Sequence, residues 1–422
     1  MRVVVATIAE RTDLLNLVPL AWALRSAGHE VVVASQPELA GAVSAAGLPF
    51  APVGRDHGFW RMMRAYSLLG VLEKDTPPFG MADAPEHEVT WDYLIEGYRR
   101  VVPHWWRMVN DSMADDLVDL CRTWKPDLVV WDPITFCAPV AARAAGAAHV
   151  RYIWGVDTLA RVRGLFLERM EEQAPEVRED PLGEWLSGLA ARYGVEFDEE
   201  LVVGQATIDQ VPDVLRIPVD GRLGVRYLGM RFVPYNGRAV VPDWLRERPE
   251  GRRLCLTLGT SATDRFGGYT LPLGEVLEAL GQVDAEVVAT VPLQARQDLG
   301  VVPSNVRLVD YVPLHALAAT STATINHGGT GTVWTGLVHG LPQLFVPRPT
   351  FDEPMLARLI QGQGAGLVAE PDPDEILRAS ERVLAEPALA ERAALLREQM
   401  LDRPTPAAMT AELERIAASP SR

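Results

Sequence analysis

The chain has 422 residues, of which 48% are hydrophobic and 23% are charged, a profile typical of a globular enzyme with two domains. Its formal net charge of −16 argues against nucleic acid or an anionic membrane surface as the main partner. The three cysteines, Cys121, Cys137 and Cys255, form no CxxC motif, and neither a signal peptide nor a long apolar span is evident. We therefore expect a cytoplasmic protein without membrane segments or a disulfide framework.

The first residues alternate between strand and helix patterns. The sequence predicts buried strands at 3–7, 31–34 and 49–53 and helices at 17–27 and 38–46. Continuous apolar runs of this kind are typical of strands that are buried on both faces of a parallel sheet. The β-α-β-α-β order therefore indicates right-handed crossovers and a doubly wound sheet.

A helical insertion, predicted at about 55–124, interrupts this alternation. Strand and helix patterns return with a strand at 128–131, a helix at 138–145 and a strand at 149–154, and residues 160–204 are predicted to be helical. Together these segments define an N-terminal Rossmann-like domain over residues 1–216.

A second α/β domain follows a stretch rich in proline and glycine. That stretch, residues 217–243, is the predicted linker. Strands are then predicted at 254–258, 285–291, 306–309, 323–326 and 343–346. They define a C-terminal Rossmann-like domain over 244–400, followed by a C-terminal helix over 401–422. We expect the two domains to face each other across a cleft at the carboxyl ends of their sheets.

A glycine-rich loop follows the predicted strand at 323–326. Its sequence is Asn326-His327-Gly328-Gly329-Thr330-Gly331-Thr332. The glycines let a ligand approach the backbone, and the free N–H groups at the start of the helix predicted over 333–339 favour an anion such as phosphate. His327 would add a charge-assisted hydrogen bond. The alternative is a structural turn with a packed histidine, because the loop is neither GxGxxG nor Walker A.

Two acidic motifs lie downstream of this loop. Asp352-Glu353 opens a helix, where carboxylates usually serve as caps, although beside a phosphate loop they would accept hydrogen bonds from sugar hydroxyls. Asp372-Pro373-Asp374 spells a DxD metal motif, but the Glu-Ile-Leu that follows it predicts a helix N-cap instead. We therefore predict no metal site.

Several separated motifs resemble those of one enzyme family. Four segments resemble the nucleotide-binding half of GT-B glycosyltransferases, namely 258–261, 309–313, 326–332 and 352–353. Three further segments, 17–25, 27–30 and 235–242, resemble a narrower group. This group is the actinobacterial enzymes that glycosylate macrolides, anthracyclines and related aromatic polyketides. The likeness spans nearly the whole chain, and it implies a GT-B fold of two facing Rossmann-like domains, the first of which binds the acceptor.

This resemblance implies inverting transfer of a deoxysugar from a TDP-sugar to a hydrophobic aglycone, in antibiotic biosynthesis and with no cofactor. His327 would contact the diphosphate together with the backbone amides of Gly329 to Thr332. Asp352 and Glu353 would contact sugar hydroxyls, although the family often has glutamine at the second position and a solvated carboxylate is the simpler explanation of Glu353. The remaining donor-site residues that the resemblance implies are Gly259, Thr260, Ser261, Tyr311, Val312 and Gly328. It also implies a cytochrome-like activator protein and, as one arrangement, a homodimer.

The catalytic base departs from the family pattern. A histidine normally follows the first strand, but here the segment reads Arg11-Thr12-Asp13-Leu14, so Asp13 takes that place. Asp132 ends the strand at 128–131, at the same edge of the sheet. An ordinary aspartate is a weak base, but two carboxylates that share one site raise the pKa of one of them. Either residue would then accept a proton, most readily from a phenol or an aromatic carbon.

Structural explanations of the two aspartates remain open at this point. Asp13 would be the N-cap of a helix over 14–27, and Asp132, followed by a proline, would only end a strand. In that case the protein would bind a sugar nucleotide without catalysis, as a helper. A dinucleotide oxidoreductase is disfavoured, because no GxGxxG follows the first strand of either domain.

Overall fold

The computed structural model describes residues 1–65, 78–247, 249–259, 269, 271–297, 299–348 and 352–418. The chain divides into two compact units. Unit 1 comprises Met1–Arg231 together with Arg403–Arg422, and unit 2 comprises Phe232–Asp402. Within the described residues, no helix is long and apolar enough to cross a membrane.

Unit 1 is built on a seven-stranded parallel sheet of the order β3-β2-β1-β4-β5-β6-β7. The strands are β1 (Arg2–Ala6), β2 (Glu30–Ser35), β3 (Phe50–Pro52), β4 (Leu128–Trp131), β5 (Ala148–Tyr152), β6 (Thr207–Asp209) and β7 (Tyr227–Gly229). The strand order reverses direction between β1 and β4. Open α/β sheets bind their ligands beyond the carboxyl ends of the strands at such a switch point.

Helices join the strands of unit 1. They are α1 (Arg11–Ser26), α2 (Ala40–Ala45), α3 (Phe59–Ala65), α4 (Trp91–Val101), α5 (Arg107–Asp111), α6 (Ala114–Trp124), α7 (Cys137–Ala145), α8 (Thr158–Glu171), α9 (Pro181–Ala191) and α10 (Glu200–Val203). A π-helical segment, Val102–Trp106, connects α4 to α5, and Pro103 lies within it, where its missing N–H disturbs the regular hydrogen-bond ladder. Residues 66–77 of the predicted insertion lie outside the described residues.

Unit 2 repeats the same topology with six parallel strands in the order β10-β9-β8-β11-β12-β13. The strands are β8 (Arg253–Thr257), β9 (Glu286–Thr290), β10 (Val306–Val309), β11 (Ala323–Asn326), β12 (Gln343–Phe345) and β13 (Gly366–Val368). The helices are α11 (Leu273–Leu280), α12 (Leu314–Ala318), α13 (Thr330–Val338), α14 (Glu353–Gly362), α15 (Pro373–Ala385) and α16 (Pro387–Leu401). The switch point of this sheet lies between β8 and β11. The core of unit 2 is a cluster of buried aliphatic side chains from the strands and from α11.

The last helix, α17 (Pro406–Ala417), belongs to unit 1 although it follows unit 2 in the chain. Glu414 of this helix forms an ion pair with His29, at 3.0 Å between carboxylate and ring nitrogen. Arg403, which precedes the helix, donates hydrogen bonds to the Asp209 carbonyl and to Asp213. These contacts attach the C-terminal segment to the first sheet.

The structure corrects three expectations about the elements. The helix expected from Leu17 begins at Arg11, so Pro19 lies inside it rather than in its first turn. The expected linker includes β7, which is an edge strand of the first sheet. Strands β6, β7 and β13 were not predicted.

Candidate active site

One candidate site lies at the switch point of unit 2. His327 follows β11, and its imidazole lies between two glycines from separate segments. A Cβ at Gly259, just beyond β8, would lie 2.6 Å from Cε1 of the ring, and a Cβ at Gly329 would lie 2.5 Å from Nε2. Neither position accepts a side chain while the ring stays in place. The glycines therefore allow β8 and the loop to close around the histidine.

A buried hydrogen-bond network fixes the loop beside His327. Gly328 has a φ of +96°, and its N–H donates to the side-chain oxygen of Asn326 at 2.8 Å. The Asn326 amide donates to Gln343 Oε1 at 2.8 Å, and Gln343 donates to the Val333 carbonyl at 3.0 Å. Asn326 and Gln343 are completely buried, so these bonds replace those that water would make. Sequence analysis missed the role of Gln343, which occupies an ordinary position in a short strand.

The start of α13 presents free N–H groups. This helix begins at Thr330, three residues earlier than predicted, so the loop residues form its first turn. Within the described part of the chain, the N–H groups of Gly329, Thr330 and Gly331 have no hydrogen-bond acceptor. Gly329 to Thr332 are partly exposed. These amides can bind an anion, and the helix dipole adds to that preference.

Burial shifts the pKa values of the ionisable groups around the loop. Burial and the nearby Arg348 lower the pKa of His327 to about 4, so the ring is neutral at pH 7 in the unliganded chain. As a neutral donor, His327 could still form a charge-assisted hydrogen bond with a phosphate, because the phosphate supplies the charge. Burial raises the pKa of Glu353 well above its ordinary value, and its Oε1 lies 3.7 Å from His327 Nε2.

The two acidic motifs differ, because one contains a helix cap and the other is a partly buried pair. The Glu353 side chain is only 16% exposed, so its explanation as a solvated carboxylate is wrong. Asp352 precedes α14 but makes no side-chain capping hydrogen bond, and burial raises its pKa to about 6. Asp372, by contrast, accepts a hydrogen bond from the Glu375 N–H, which confirms the predicted N-cap.

Other predicted donor residues lie near the ends of β8 and β10. The Val312 side chain is buried with Leu317 and Cys255 in a small apolar cluster, which leaves only its main chain for recognition of a base. Tyr311 is 44% exposed, and its hydroxyl donates to the Asn236 carbonyl. Thr260 and Ser261 lie outside the described residues.

A second candidate site lies at the switch point of unit 1. Asp132 follows β4 and is 1% exposed. Its carboxylate accepts hydrogen bonds from the Ile8 N–H at 3.2 Å, from the Ile134 N–H at 3.0 Å and from the Thr135 hydroxyl. Burial raises the pKa of Asp132, and these donors oppose that rise by stabilising the charged form. Asp132 therefore does more than end a strand, because it joins the loops after β1 and β4.

Asp13 lies beside Asp132 with fewer hydrogen-bond donors. It is 8% exposed and lies in the first turn of α1, whose N-cap residue is Glu10, so its interpretation as an N-cap is wrong. Burial raises the pKa of Asp13 well above its ordinary value, and the negative charges of Asp132 and then Glu10 raise it further. Hydrogen bonds with Trp154 and Thr12 partly oppose this rise.

Comparison with known proteins identifies the family to which the chain belongs. Models of the N-terminal and C-terminal domains of erythromycin biosynthesis protein CIII-like proteins match residues 22–259 and 274–416. The 10-deoxymethynolide desosaminyltransferase of Streptomyces venezuelae is 42% identical over 429 residues, which is 100% of this chain and 98% of the relative. The chain belongs to the erythromycin biosynthesis protein CIII-like family of glycosyltransferases.

Other members of this glycosyltransferase family match as completely. The aclacinomycin-T 2-deoxy-L-fucose transferase of Streptomyces galilaeus is 41% identical over 438 residues, which is 100% of this chain and 97% of the relative. The crystal structure of the glycosyltransferase VinC in complex with dTDP is similar over 99% of each chain, with a TM-score of 0.87 and 36% identity. These matches confirm the predicted GT-B fold and the predicted enzyme class.

Proposed function

We propose that this glycosyltransferase moves a deoxysugar from a TDP-sugar to a natural-product aglycone of polyketide type, macrolide or aromatic, with inversion at the anomeric carbon. The observation that carries this proposal is the His327 ring held between Gly259 and Gly329 beside free N–H groups at the start of α13. A relative with the same fold binds dTDP. Relatives that match along their whole length are named for the transfer of deoxysugars.

The donor is proposed to bind at the switch point of unit 2. The amides of Gly329, Thr330 and Gly331 would donate to the diphosphate, with His327 donating from its neutral ring. An anion so close to the imidazole would raise the pKa of His327, so binding favours uptake of a proton. The main chain of Val312 would pair with thymine, and Asp352 and Glu353 would contact the sugar. No metal is needed in this arrangement, because the loop itself offsets the charge of the diphosphate.

Asp13 is proposed as the base, and Asp132 as the charge that makes it basic. Asp132 is more buried and accepts three hydrogen bonds from protein groups, which stabilise its charged form against the effect of burial. Asp13 has fewer donors and a negative neighbour, which makes its carboxylate the stronger proton acceptor. In this proposal the raised pKa of Asp13 compensates for the absence of a histidine base. The absence of that histidine is then no longer a reason to interpret the protein as a non-catalytic helper.

The proposed reaction forms one bond and breaks one. The carboxylate of Asp13 removes the proton of the acceptor hydroxyl while the oxygen attacks the anomeric carbon of the sugar. The bond from that carbon to the diphosphate oxygen breaks, and TDP leaves with the electron pair. Because the pKa of Asp13 is raised, the acceptor need not be a phenol, and aliphatic hydroxyls of a macrolide are included in the proposal.

A transfer assay tests this function. Purified protein is incubated with TDP-deoxysugars, with and without an amino group, together with macrolactone and anthracyclinone acceptors, and products are detected by mass spectrometry. The proposal expects a glycoside whose anomeric configuration, measured by NMR, is opposite to that of the donor. TDP binding without transfer or donor hydrolysis under every condition would support a non-catalytic binder instead.

Two protein partners, an activator and a second copy of the chain, rest on the family resemblance alone. We include a cytochrome-like activator and a homodimer in the proposal, and both are measurable. Adding the activator is expected to raise kcat in the transfer assay, and light scattering during gel filtration is expected to give twice the chain mass. Full activity without an activator, or a monomer at assay concentration, would remove the respective partner.

A further inference from the structure

Arg348 is a buried cation beside the glycine-rich loop. It follows β12 closely, and the Val346 N–H donates to the Asn326 carbonyl at 2.9 Å, which brings the end of β12 next to the residue before His327. The register pairs Asn326 with Phe345, so His327 and Arg348 leave the sheet at the same carboxyl edge. Arg348 is only 5% exposed.

The charge of Arg348 reaches two groups of the candidate donor site. Its guanidinium lowers the pKa of His327 and that of Glu353, and the main-chain N–H of Arg348 donates a hydrogen bond to the Glu353 carboxylate. Those two side chains contact the glycines of the loop, since a Cβ at Gly328 would lie 3.2 Å from the Glu353 Cβ. Arg348 therefore lies close enough to the loop for its charge to act on the groups around it.

A diphosphate leaving group needs positive charge that the loop does not fully supply. The imidazole is neutral in the unliganded chain, and a helix N-terminus is equivalent to about half an elementary charge. A guanidinium remains charged at every relevant pH and forms paired hydrogen bonds with phosphate oxygens. In a buried position its electrostatic effect is stronger than at the surface, because water screens it less.

We propose that Arg348 is a donor-binding residue whose guanidinium supplies the fixed positive charge for the diphosphate of the nucleotide sugar. This inference rests on the proposed function, because it needs the donor at the switch point of unit 2. It also assigns distinct roles within the loop. His327 and the amides of α13 orient the phosphate oxygens, and Arg348 provides the charge that stabilises TDP as it leaves.

Calorimetric titration with TDP, TMP and thymidine tests this role in the full chain. The variants are Arg348→Gln, which removes the charge, and Arg348→Lys, which keeps it without the planar fork. Arg382→Gln is the matched control, because that side chain is 57% exposed and pairs with Glu386 on α15. Thermal unfolding of each variant establishes that it is folded before titration.

The expected result is a graded loss that depends on phosphate. Arg348→Gln should weaken TDP binding by about 10- to 100-fold, weaken TMP binding less and leave thymidine binding unchanged, while Arg348→Lys loses less than Arg348→Gln. The dissociation constant of wild type for TDP should also rise more steeply with salt than that of Arg348→Gln. Arg382→Gln should match wild type.

Other results overturn the proposal in distinguishable ways. Equal weakening for all three ligands would show that Arg348 only supports the structure, and unchanged TDP binding would remove it from the site. If Arg348→Gln does not fold, Arg348→Lys decides: a loss for TDP that exceeds its loss for thymidine supports the role, and equal losses overturn it. Failure of wild type to bind TDP would instead contradict the proposed function itself.

Discussion

The two switch points of this chain have the same topology and opposite chemistry. In unit 1, the loops after β1 and β4 place Asp13 against Asp132, and the result is a buried pair of acids. In unit 2, the loops after β8 and β11 place Gly259 against His327, and the result is a ring enclosed by backbone. One sheet edge thus concentrates negative charge, whereas the other exposes N–H groups that attract it.

The surroundings of each ionisable group set its pKa, and thereby the chemistry that each switch point can perform. A buried acid near another acid becomes a better base, and a buried histidine near an arginine loses its proton. Unit 1 is thereby suited to removing a proton, and unit 2 to holding an anion. Variants that change one switch point at a time can separate these two tasks.

The largest effect is expected from Asp13→Asn. The amide keeps the shape of the side chain but cannot accept the proton, so kcat should fall by about 10²- to 10⁴-fold. The dissociation constant for TDP should not change, because the donor is proposed to bind in unit 2. Steady-state kinetics and calorimetry on the same preparation measure both quantities. Turnover within threefold of wild type would exclude Asp13 as the base.

The next effect is expected from Gly329→Ala. The new methyl group would lie 2.5 Å from His327 Nε2, so the ring or the loop must move, and TDP affinity should fall by about 5- to 100-fold. Gly362→Ala is the control, since a Cβ there meets nothing within 4 Å. Equal TDP affinities for the two variants would show that the loop tolerates displacement of the ring.

A smaller effect is expected from Asp132→Asn on the pH profile. Removing this charge lowers the pKa of Asp13, because the charge of Asp132 is the second largest cause of its rise after burial. Asp13 then stays ionised at lower pH, so the acid limb of kcat/KM should move to lower pH. Glu10→Gln should move it in the same direction by less, since Glu10 is the third cause. A shift to higher pH in either variant would contradict the assignment of the base.

The smallest effect is expected from Asp352→Asn on stability. Burial raises the pKa of Asp352 to about 6 in the folded chain, whereas an unfolded aspartate has a pKa of about 3.9. The folded wild type binds the extra proton between these values, so it loses stability as pH rises through that window. Asparagine does not ionise, and the variant should unfold at a higher temperature than wild type at pH 7.5, with no such gain below pH 4. Asp284→Asn, at a side chain that is 96% exposed, should show no comparable difference.

The same comparison explains what the sequence could and could not predict. The glycine-rich loop was predictable as a place of close backbone approach, because glycines at fixed positions after a strand have few other purposes. Arg348 and Gln343 were not, because a polar residue in or after a short strand gives no sign that it will be buried. The raised pKa of Asp13 was anticipated from two acids at one sheet edge, but the donors that stabilise the charged form of Asp132 come from Ile8, Ile134 and Thr135. Two of these donors are main-chain N–H groups, which leave no pattern in the sequence.

The central claim is that donor binding belongs to unit 2 and proton removal to unit 1. Calorimetric titration of TDP into wild type, Asp13→Asn and His327→Ala tests it most directly. We expect Asp13→Asn to bind TDP as tightly as wild type and His327→Ala to bind TDP at least about tenfold more weakly. If His327→Ala keeps wild-type affinity, or if Asp13→Asn loses as much affinity as His327→Ala, the division of labour between the two switch points is wrong.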